Sequence, residues 1–566
     1  MHTLFFILSH LLLVGISLLA LTGWGVFTHK LLHSNKKITY LSSFTFLGLF
    51  SVAFLIKLIH FFSPINLVIS LSIFLVGLLS IIFLNKAIFD EIVNSCIRFI
   101  LKNKWQFFFL IFFIIYWCLR VMHPSSNYDT AAYHIQTIRW INEYPTIPGL
   151  GNLSPYYALN QSYFELLSLL RFFPYLLDGF VIGGLIFFSL IIIVISERKD
   201  SKYINYSIIA LMLYLVTHPQ GSALFSPSPD LVVSILEVII FTLLIDSIFN
   251  MKLYKNSFEI YLLPLMLCVY LFSVKLTGLA FSFSTACIVA IYYYKNLAKF
   301  NITNLKFFFV FLFFGIFHII NGYILTGYPF FPSSIAGLHN LPWTLHPEIG
   351  EKLMWVIYNG TRDPSQLVDH KIFVSSLNWI SLWLHNQGPH VLSYIFVSIF
   401  LVFLNLIYFF KYPFNKNKFI NALIIIAPPI FALVFWFFSA PDIRYLGASF
   451  ELFLISLWFL FVNGFPRNRL KIKLAFERLK LAEYSLIIIF VFSLASFHSA
   501  LISKESDVFL HPLLAKKESA SGVKLNIPEG LCWDSPLPCV ESYNSKLILI
   551  EPGKISSGFM TTDRIK

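Results

Sequence analysis

Apolar runs long enough to cross a lipid bilayer recur along almost the whole chain. A transmembrane helix needs roughly 20 predominantly apolar residues. Runs of near that length lie at 5–27, 40–62, 65–84, 105–121, 176–196, 229–248, 258–274, 277–294, 307–326, 390–411, 419–439, 446–463 and 483–499, with a shorter run at 204–217. The pattern predicts an all-α polytopic membrane protein with about 14 transmembrane helices.

Composition excludes an ordinary soluble domain. Charged residues make up 12% of the 566 residues, and the mean hydropathy is +0.76, whereas soluble domains carry about 25% charged residues. The first apolar run has no cationic start and is followed by Lys30, Lys36 and Lys37. These features predict an uncleaved anchor with its N-terminus outside the cell rather than a signal peptide.

Positive charge is concentrated in alternate loops, which predicts their orientation. Lys and Arg near helix ends stay in the cytoplasm, and an outside start places roughly 24 of the 41 Lys and Arg residues there. The basic segments are 29–37, 85–104, 196–203, 250–256, 295–306, 411–418 and 466–480. We therefore expect both termini outside the cytoplasm. The abundance of Phe (64 residues), Ile and Leu, with Asn and Lys in the loops, is typical of an AT-rich bacterial genome, which would make this an inner-membrane protein with periplasmic N- and C-termini. The net charge of +13 indicates topology and contact with membrane lipids, not nucleic acid.

The same threading places the polar stretches on the outer side. These are 122–175, 217–230, Lys275, 327–389, 439–447 and the tail from about residue 501. Polar loops clustered on one side favour an outward-facing active site. The tryptophans of 327–389 (Trp343, Trp355, Trp379 and Trp383) fit an interfacial belt at least as well as a sugar platform, so we expect a structural role for them.

The first outer loop contains the sequence SNYDTAAYHIQTIRWINEYPTIPGLGNL, residues 126–153. Helical spacing from Ala131 to about Glu143 predicts a helix with one apolar face and one aromatic, amphipathic face, lying in the membrane interface. One face carries Ala131, Ile135, Ile138 and Ile141, and the other carries Tyr133, Thr137, Trp140 and Tyr144. Asp129 stands at or next to the N-cap. Asp129 can cap the helix. It can also act as a base or bind a cation where the chain leaves the membrane, and the two roles are compatible.

Two cysteines stand close together in the tail. Cys532 and Cys539 flank two prolines, a spacing that favours a disulfide-closed turn in an oxidising periplasm, with an unpaired pair as the alternative. They are weak grounds for a metal site, because no further His or Cys stands nearby. The apolar stretches of 501–566 predict a small hairpin.

Several motifs resemble those of GT-C glycosyltransferases, polytopic enzymes that take a sugar from a polyprenyl-phosphate donor. An apolar helix, a short outer loop with an acid, and an amphipathic helix with Tyr133 and Trp140 make up the general resemblance. A mostly uncharacterised bacterial membrane family, usually placed in this superfamily, is more closely similar. The similar motifs are YDTAAYH, PGLGNL, NQSYFELLSLL, TGYPFFP, APDIRYLG and CWDSPLPC. They run from about residue 105 to the end.

The resemblance implies three regions and an activity. Helices in 1–104 lie outside the shared pattern, 105–500 forms the catalytic membrane region, and 501–566 is a periplasmic tail. The activity would be sugar transfer to an envelope glycan, lipid or protein. Many GT-C members carry two adjacent acids in the first loop, but here Thr130 follows Asp129. This difference favours a base over a metal ligand, so a divalent cation is allowed but not required.

Such a transfer needs a base for the acceptor hydroxyl and cations for the leaving phosphate. Asp129 suits the first task, with His134 as a catalytic partner, although an outer His is more often a surface hydrogen-bonding group. Arg444 and Lys275 suit the second, although either could simply reach toward lipid headgroups. The remaining candidate substrate-binding residues are Tyr128, Tyr133, Asp230 and Asp442; Asp442 would orient Arg444 or cap the next helix.

Two other functions compete with the glycosyltransferase. A flippase or transporter for lipid-linked oligosaccharides would place ionisable groups near the bilayer midplane and show repeated halves. Here Lys57 and Asp246 lie toward helix ends, only Glu237 lies nearer a middle, and we find no internal repeat. An O-antigen polymerase or ligase would rely on outer arginines, which are scarce, although outer histidines are not.

Overall fold

The computed structural model describes residues 2–32, 38, 40–83, 90, 93–94, 97, 101, 104–121, 127–171, 182–198, 201, 203–217, 226–249, 261–296, 302–362, 377–411, 416–463, 512–519 and 522–564. All structural statements below concern these residues.

Helices form where the apolar runs occur. In chain order they are α1 His2–Leu31, α2 Leu41–His60, α3 Leu67–Phe83, α4 Lys104–Val121, α5 Ile135–Glu143, α6 Leu150–Leu153, α7 Ser162–Leu169, α8 Gly183–Glu197, α9 Ile204–Thr217, α10 Asp230–Phe249, α11 Leu263–Val274, α12 Leu279–Asn296, α13 Ile302–Thr326, α14 Pro347–Arg362, α15 Trp379–Asn386, α16 Pro389–Lys411, α17 Lys416–Ser439 and α18 Ser449–Asn463. Each predicted apolar run up to 446–463 coincides with a described helix, and 483–499 lies outside the described residues.

The chain is a predominantly helical membrane protein. Within the described residues, six helices are long and apolar enough to cross a membrane: α1, α2, α10, α13, α16 and α17. Several others are apolar but shorter, among them α3, α8, α9, α11 and α18. Apolar side chains in a membrane are stable against lipid as well as against protein, so the outer helices expose long rows of Leu, Ile and Phe.

Helix α10 lies at the centre of the bundle. Every residue of its apolar window is buried, whereas only 28% of the corresponding window of α16 is buried. Neighbouring helices α9, α11 and α18 pack around α10. A helix that is apolar on all sides must be covered by other protein or by lipid. The apolar sequence of α10 therefore fits its position at the centre of the bundle.

Polar contacts join loops that the charge pattern assigns to the same side. At one end of the bundle, Ser42 donates its backbone N–H to Glu197 (3.1 Å) and the Arg198 guanidinium lies over the ring of Tyr40 (4.3 Å). At the other end, 127–171 meets the segment before α14 and the tail. The two groups of loops are therefore separated by the length of the helices.

The tail is a small β structure, so the chain is not entirely α-helical. Strand β1 (Leu514–Glu518) pairs antiparallel with β2 (Lys524–Pro528), and β3 (Leu547–Leu549) pairs antiparallel with β4 (Phe559–Thr561). The single hairpin expected for the tail is thus two two-stranded sheets. Two-stranded sheets are marginal alone, and here both pack on the first outer loop through a shared apolar cluster.

The helix after Asp129 differs from the expected interfacial helix. It starts with a π-helical turn, Thr130–His134, and continues as α5. Ile135 and Ile138 pack on the membrane bundle as expected, but Trp140 on the second face is only 2% exposed and packs on Phe559 of the tail (6.0 Å). Protein therefore covers both the apolar face and the aromatic face. Contact with lipid does not explain the aromatic face.

Candidate functional site

Charged side chains from several separate segments converge at the tail end of the bundle. Asp129 begins the first-loop helix, Asp230 begins α10, and Lys275 directly follows α11. Asp442 and Arg444 lie in the short link between α17 and α18. Each residue stands at a helix end, where an ionisable group can reach water while its helix stays in apolar surroundings.

Arg444 is the link between the acids of this cluster. Its Nη1 lies 3.8 Å from Asp129 Oδ2, its Nε lies 3.5 Å from Asp442 Oδ2, and its Nη2 donates to the Tyr445 hydroxyl at 2.6 Å. Asp442 also accepts the Arg444 backbone N–H (3.0 Å), which closes the short 3₁₀ turn Ile443–Tyr445. Asp442 thus caps the short helical turn that follows it and also contacts the Arg444 guanidinium, so both roles expected for it occur together.

Lys275 forms the second half of the charged cluster. Its ammonium group pairs with Asp230 and lies 4.8 Å from the centre of the Tyr445 ring, while the Arg444 guanidinium lies 4.7 Å from the same ring. Both cations thus lie against the Tyr445 ring, an arrangement that stabilises positive charge. Three carboxylates (Asp129, Asp230 and Asp442) face two cations in this cluster.

A buried glutamate positions the Arg444 segment. Glu237 on α10 accepts the backbone N–H of Ala448 (2.8 Å) and the hydroxyl of Ser449 (3.0 Å) at the start of α18. Gly447 adopts a φ of +66°, and a Cβ there would lie 2.6 Å from Glu237 Oε2. Only glycine fits this turn against the carboxylate without strain. Helix α10 therefore fixes both Asp230 and the link that carries Arg444.

Asp129 does not cap the helix that follows it. Its side chain makes no capping hydrogen bond; instead Asn127 Oδ1 accepts the Asp129 backbone N–H at 3.0 Å. The Asp129 carboxylate is free to face Arg444. Burial raises the pKa of this carboxyl group, Arg444 and Lys275 oppose that rise, and Asp230 adds to it. A carboxylate of raised pKa is a better proton acceptor than an ordinary aspartate.

Tyrosine rings border the carboxylate. Tyr133 stacks on Tyr156 at 5.6 Å with an interplanar angle of 26°. Tyr128 is 62% exposed, and its hydroxyl lies 3.5 Å from Glu541 of the tail. Burial, followed by the charges of Asp129 and Asp230, keeps the pKa of Tyr133 well above its usual value, so this hydroxyl stays protonated.

His134 lies in a different environment from the one expected for a catalytic partner of Asp129. Its ring is fully buried between Tyr133 (4.4 Å) and Phe164 (5.2 Å). Neither ring nitrogen has a hydrogen-bond partner among the described residues. Burial lowers the pKa of this imidazole to about 3. His134 is therefore a neutral packing residue, because the apolar stripe of the helix turns it into the core.

The described part of the chain holds no group of three or more His, Cys, Asp or Glu side chains arranged for a metal ion. Arg444 and Lys275 lie where a cation would approach Asp129 and Asp230. The donor set of this cluster therefore suits charge pairing within the protein.

Comparison with known families adds one finding to this geometry. A family model described as Domain of unknown function (DUF8201) matches residues 4–451. The chain belongs to the DUF8201 family. The match includes Asp129, Asp230, Lys275, Asp442 and Arg444, and it ends before the tail. No curated protein and no solved structure matches the chain.

In this DUF8201 chain, the tail segment 532–539 clamps the first outer loop. Cys532 and Cys539 form a disulfide, with Cα atoms 6.0 Å apart, and the Cys539 carbonyl accepts the Tyr157 hydroxyl at 2.8 Å. Asp534 accepts two hydrogen bonds of 2.7 Å from Arg171, and its carbonyl accepts one of 2.7 Å from Arg139. The position of Asp129 on the loop thus depends on the tail.

Four residues in or around this cluster were not predicted from the sequence as site residues: Glu237, Tyr156, Tyr445 and Glu541. A glutamate in the middle of an apolar run is a usable signal for Glu237, because such residues are costly and need a partner. Tyr445 stands next to Arg444 in the APDIRYLG motif. Tyr156 and Glu541 carry no local signal, since only the packing of the tail on the loop brings them together.

Proposed function

We propose that this protein is an integral membrane glycosyltransferase. It moves a sugar from a polyprenyl-phosphate donor to a cell-envelope acceptor on the periplasmic side. The observation that carries the proposal is Asp129, a carboxylate of raised pKa held 3.8 Å from Arg444 where several helix ends meet. A base beside a fixed cation is the pair that this transfer requires. The resemblance to GT-C motifs is the reason for assigning this pair to sugar transfer.

Asp129 acts as the base and the cations act on the leaving group. The acceptor oxygen attacks the anomeric carbon and its proton passes to the Asp129 carboxylate. The bond between the anomeric carbon and the phosphate oxygen breaks through an oxocarbenium-like state, and the phosphate leaves with the bonding electrons. Arg444 and Lys275 stabilise the negative charge that the phosphate gains.

Donor binding requires an exchange of partners at Arg444. With three carboxylates facing two cations, the cluster has no spare positive charge for a phosphate. The Arg444–Asp129 contact is long, and the two side chains are 39% and 33% exposed, so it is weak. A donor phosphate displaces Asp129 from Arg444, and this leaves the carboxylate available for the acceptor proton.

The proposed topology places about 14 helices in the bacterial inner membrane, with both termini and the candidate site in the periplasm. Support comes from the charge pattern and from the contacts, because loops assigned to one side meet one another at one end of the bundle. Alkaline phosphatase fused after residue 505 should be active in cells. A cytoplasmic reporter that is active at the same position contradicts the scheme.

The partners of the buried ionisable groups support an enzyme over a transporter. Lys57 pairs with Glu165 at 2.7 Å, Asp246 lies 3.7 Å from Arg198, and Glu237 holds the start of α18. A transport path needs ionisable groups that can bind and release a substrate near the midplane. These three groups instead bind helices to one another.

The test of function is transfer by the purified protein. The full chain in lipid nanodiscs is incubated with radiolabelled polyprenyl-phosphate sugars and an extract of envelope glycans, lipids and proteins. We expect label to move from the donor to an acceptor in wild type and in Asp563→Asn, a matched tail variant at an exposed ion pair. Asp129→Asn should lose this transfer. If the wild-type protein transfers no label from any donor in the panel, the proposed function is wrong.

A further inference from the structure

An open aromatic wall stands on one side of Asp129. Tyr128 is 62% exposed and Tyr156 is 43% exposed, whereas Tyr133 beneath them is mostly covered and stacks on Tyr156. The Tyr133 ring holds Tyr156 from below, and a ring held in this way loses little entropy on binding. A cyclic, partly apolar ligand can pack flat on such a surface.

A carboxylate from the tail completes this wall. Glu541 Oε2 lies 3.5 Å from the Tyr128 hydroxyl. Burial and then the charge of Asp129 raise the pKa of Tyr156, and Glu541 contributes as well, so the ring lies under the influence of both acids. Among the described residues, Glu541 forms no ion pair. The wall thus presents aromatic rings between two carboxylates.

The fold holds Glu541 in place. It stands two residues after Cys539, whose disulfide to Cys532 closes the clamp on the loop and whose carbonyl accepts the Tyr157 hydroxyl. Backbone bonds between Trp533 and Ala131 (2.8 Å) and between Val540 and Asn526 (3.1 Å) fix the segment on both sides. The fold therefore fixes the backbone that leads to Glu541, and the exposed carboxylate contacts the Tyr128 hydroxyl.

We propose that Tyr128, Tyr156 and Glu541 form the acceptor subsite and that the acceptor is an uncharged glycan. Sugar rings pack on the two tyrosines, and their hydroxyls donate hydrogen bonds to Glu541 while the reacting hydroxyl donates to Asp129. This inference rests on the proposed function and narrows its acceptor from glycan, lipid or protein to one class. Tyr128 and Tyr156 lie within the family match at 4–451, and Glu541 lies beyond it.

The charges disfavour anionic glycans and lipids as acceptors. An anionic glycan or phospholipid headgroup would place its charge beside Asp129 and Glu541, where like charges repel. An acyl chain on the wall would remove water from Glu541 without supplying a hydrogen bond, which is costly for a charged group. Glycan hydroxyls supply the donors that two carboxylates and a tyrosine hydroxyl need.

Direct binding without donor tests the subsite. The full chain in nanodiscs is mixed with neutral gluco-, manno- and chito-hexaoses and with two anionic probes, oligogalacturonate and a heparin hexasaccharide. Saturation-transfer difference NMR and calorimetry report binding. We expect at least one neutral series to bind and the anionic probes not to bind. Tyr156→Ala and Glu541→Gln should each weaken binding about tenfold.

Matched controls in the tail separate a subsite from a general effect on folding. Tyr543 and Glu551 are exposed side chains of the tail, so Tyr543→Ala and Glu551→Gln should bind like wild type. No neutral binding, a preference for anionic probes, or equal affinity in Tyr156→Ala and Glu541→Gln each overturns the subsite. Because these binding assays contain no donor, they test the subsite separately from the glycosyltransferase. Glycan binding by a protein that shows no transfer rejects only the glycosyltransferase. Transfer with an unchanged acceptor KM in Tyr156→Ala and Glu541→Gln rejects only the subsite.

Discussion

Arg444 lies 3.8 Å from Asp129, although the two residues come from opposite parts of the chain and from different loops. The same guanidinium contacts Asp442 and the hydroxyl of Tyr445. One side chain thus connects the first outer loop to the start of α18. A change at Arg444 must therefore affect both the charge state of Asp129 and the geometry of the cluster.

Asp129→Asn should abolish catalysis and leave the fold intact. The substitution removes basicity at constant size, so transfer should fall on the order of 10²-fold or more. Stability should be unchanged, because Asn127 and not Asp129 caps the helix. Asp129→Ser should be equally inactive. Transfer rates and donor binding are measured together, and donor binding should survive in both variants. Near-normal turnover of Asp129→Asn would make Asp230 the acid to test.

Arg444→Lys should fail nearly as badly as Arg444→Ala. A guanidinium reaches Asp442, Tyr445 and Asp129 at once, and a phosphate can take two of its N–H groups, whereas an ammonium is a single point of charge. We expect donor affinity to fall about tenfold or more in both variants. Binding of a labelled polyprenyl-phosphate sugar measures this. Unchanged affinity in Arg444→Ala would show that the arginine is not a donor contact.

The pH dependence of transfer should report the environment of Asp129. Burial raises its pKa above the usual value of an aspartate, and the base acts only when it is ionised. Activity should therefore fall as the pH drops through this raised pKa. Arg444 lowers the same pKa, so in Arg444→Gln the acid limb of kcat/KM should move to higher pH. A limb that stays in place, or moves to lower pH, contradicts the assignment of the limb to Asp129.

The helices and the list of charged candidates were accessible from the sequence for a physical reason. An apolar run of about 20 residues has few stable states other than a membrane helix, so runs such as 204–217 and 229–248 coincide with α9 and α10. Positive charge is scarce at the outer ends of these runs. Lys275 and Arg444, together with the outer acid Asp230, are therefore recognisable as candidates from the sequence alone.

The sequence does not predict which distant segments contact one another. Trp140 is equally stable against lipid and against Phe559, so periodicity could not show which of them covers it. Asn127 and Asp129 are both good caps, and only the backbone geometry selects Asn127. His134 is buried with the apolar stripe of its helix, against Phe164 of α7, and a contact between these separate segments is not visible in the local sequence.

The buried ion pair between Lys57 and Glu165 should behave as a unit. Their side chains are 1% and 5% exposed and lie 2.7 Å apart. Lys57→Met should cost about 3–5 kcal/mol, because it leaves Glu165 as an unpaired buried charge. Adding Glu165→Leu should recover much of that loss, since an apolar pair of similar volume avoids the desolvation cost. Thermal unfolding in detergent measures both. A double variant as unstable as Lys57→Met would show that the pair has a further structural role.

Asp534→Asn should loosen the tail from the first outer loop. Asp534 accepts two hydrogen bonds of 2.7 Å from Arg171, and both side chains are less than one quarter exposed. Losing the charge should cost about 1–2 kcal/mol locally. Hydrogen exchange should then rise in two places, the clamp segment 532–539 and the helix α5 beneath it, because each covers the other. Sugar transfer should fall as well, since the loop also carries Asp129.

Asp563→Asn is the matched control. Its partner Lys546 and the acid itself are more than half exposed, so hydrogen exchange should stay at the wild-type level. Equal exchange in Asp534→Asn and wild type would mean that the disulfide and apolar packing alone hold the tail in place.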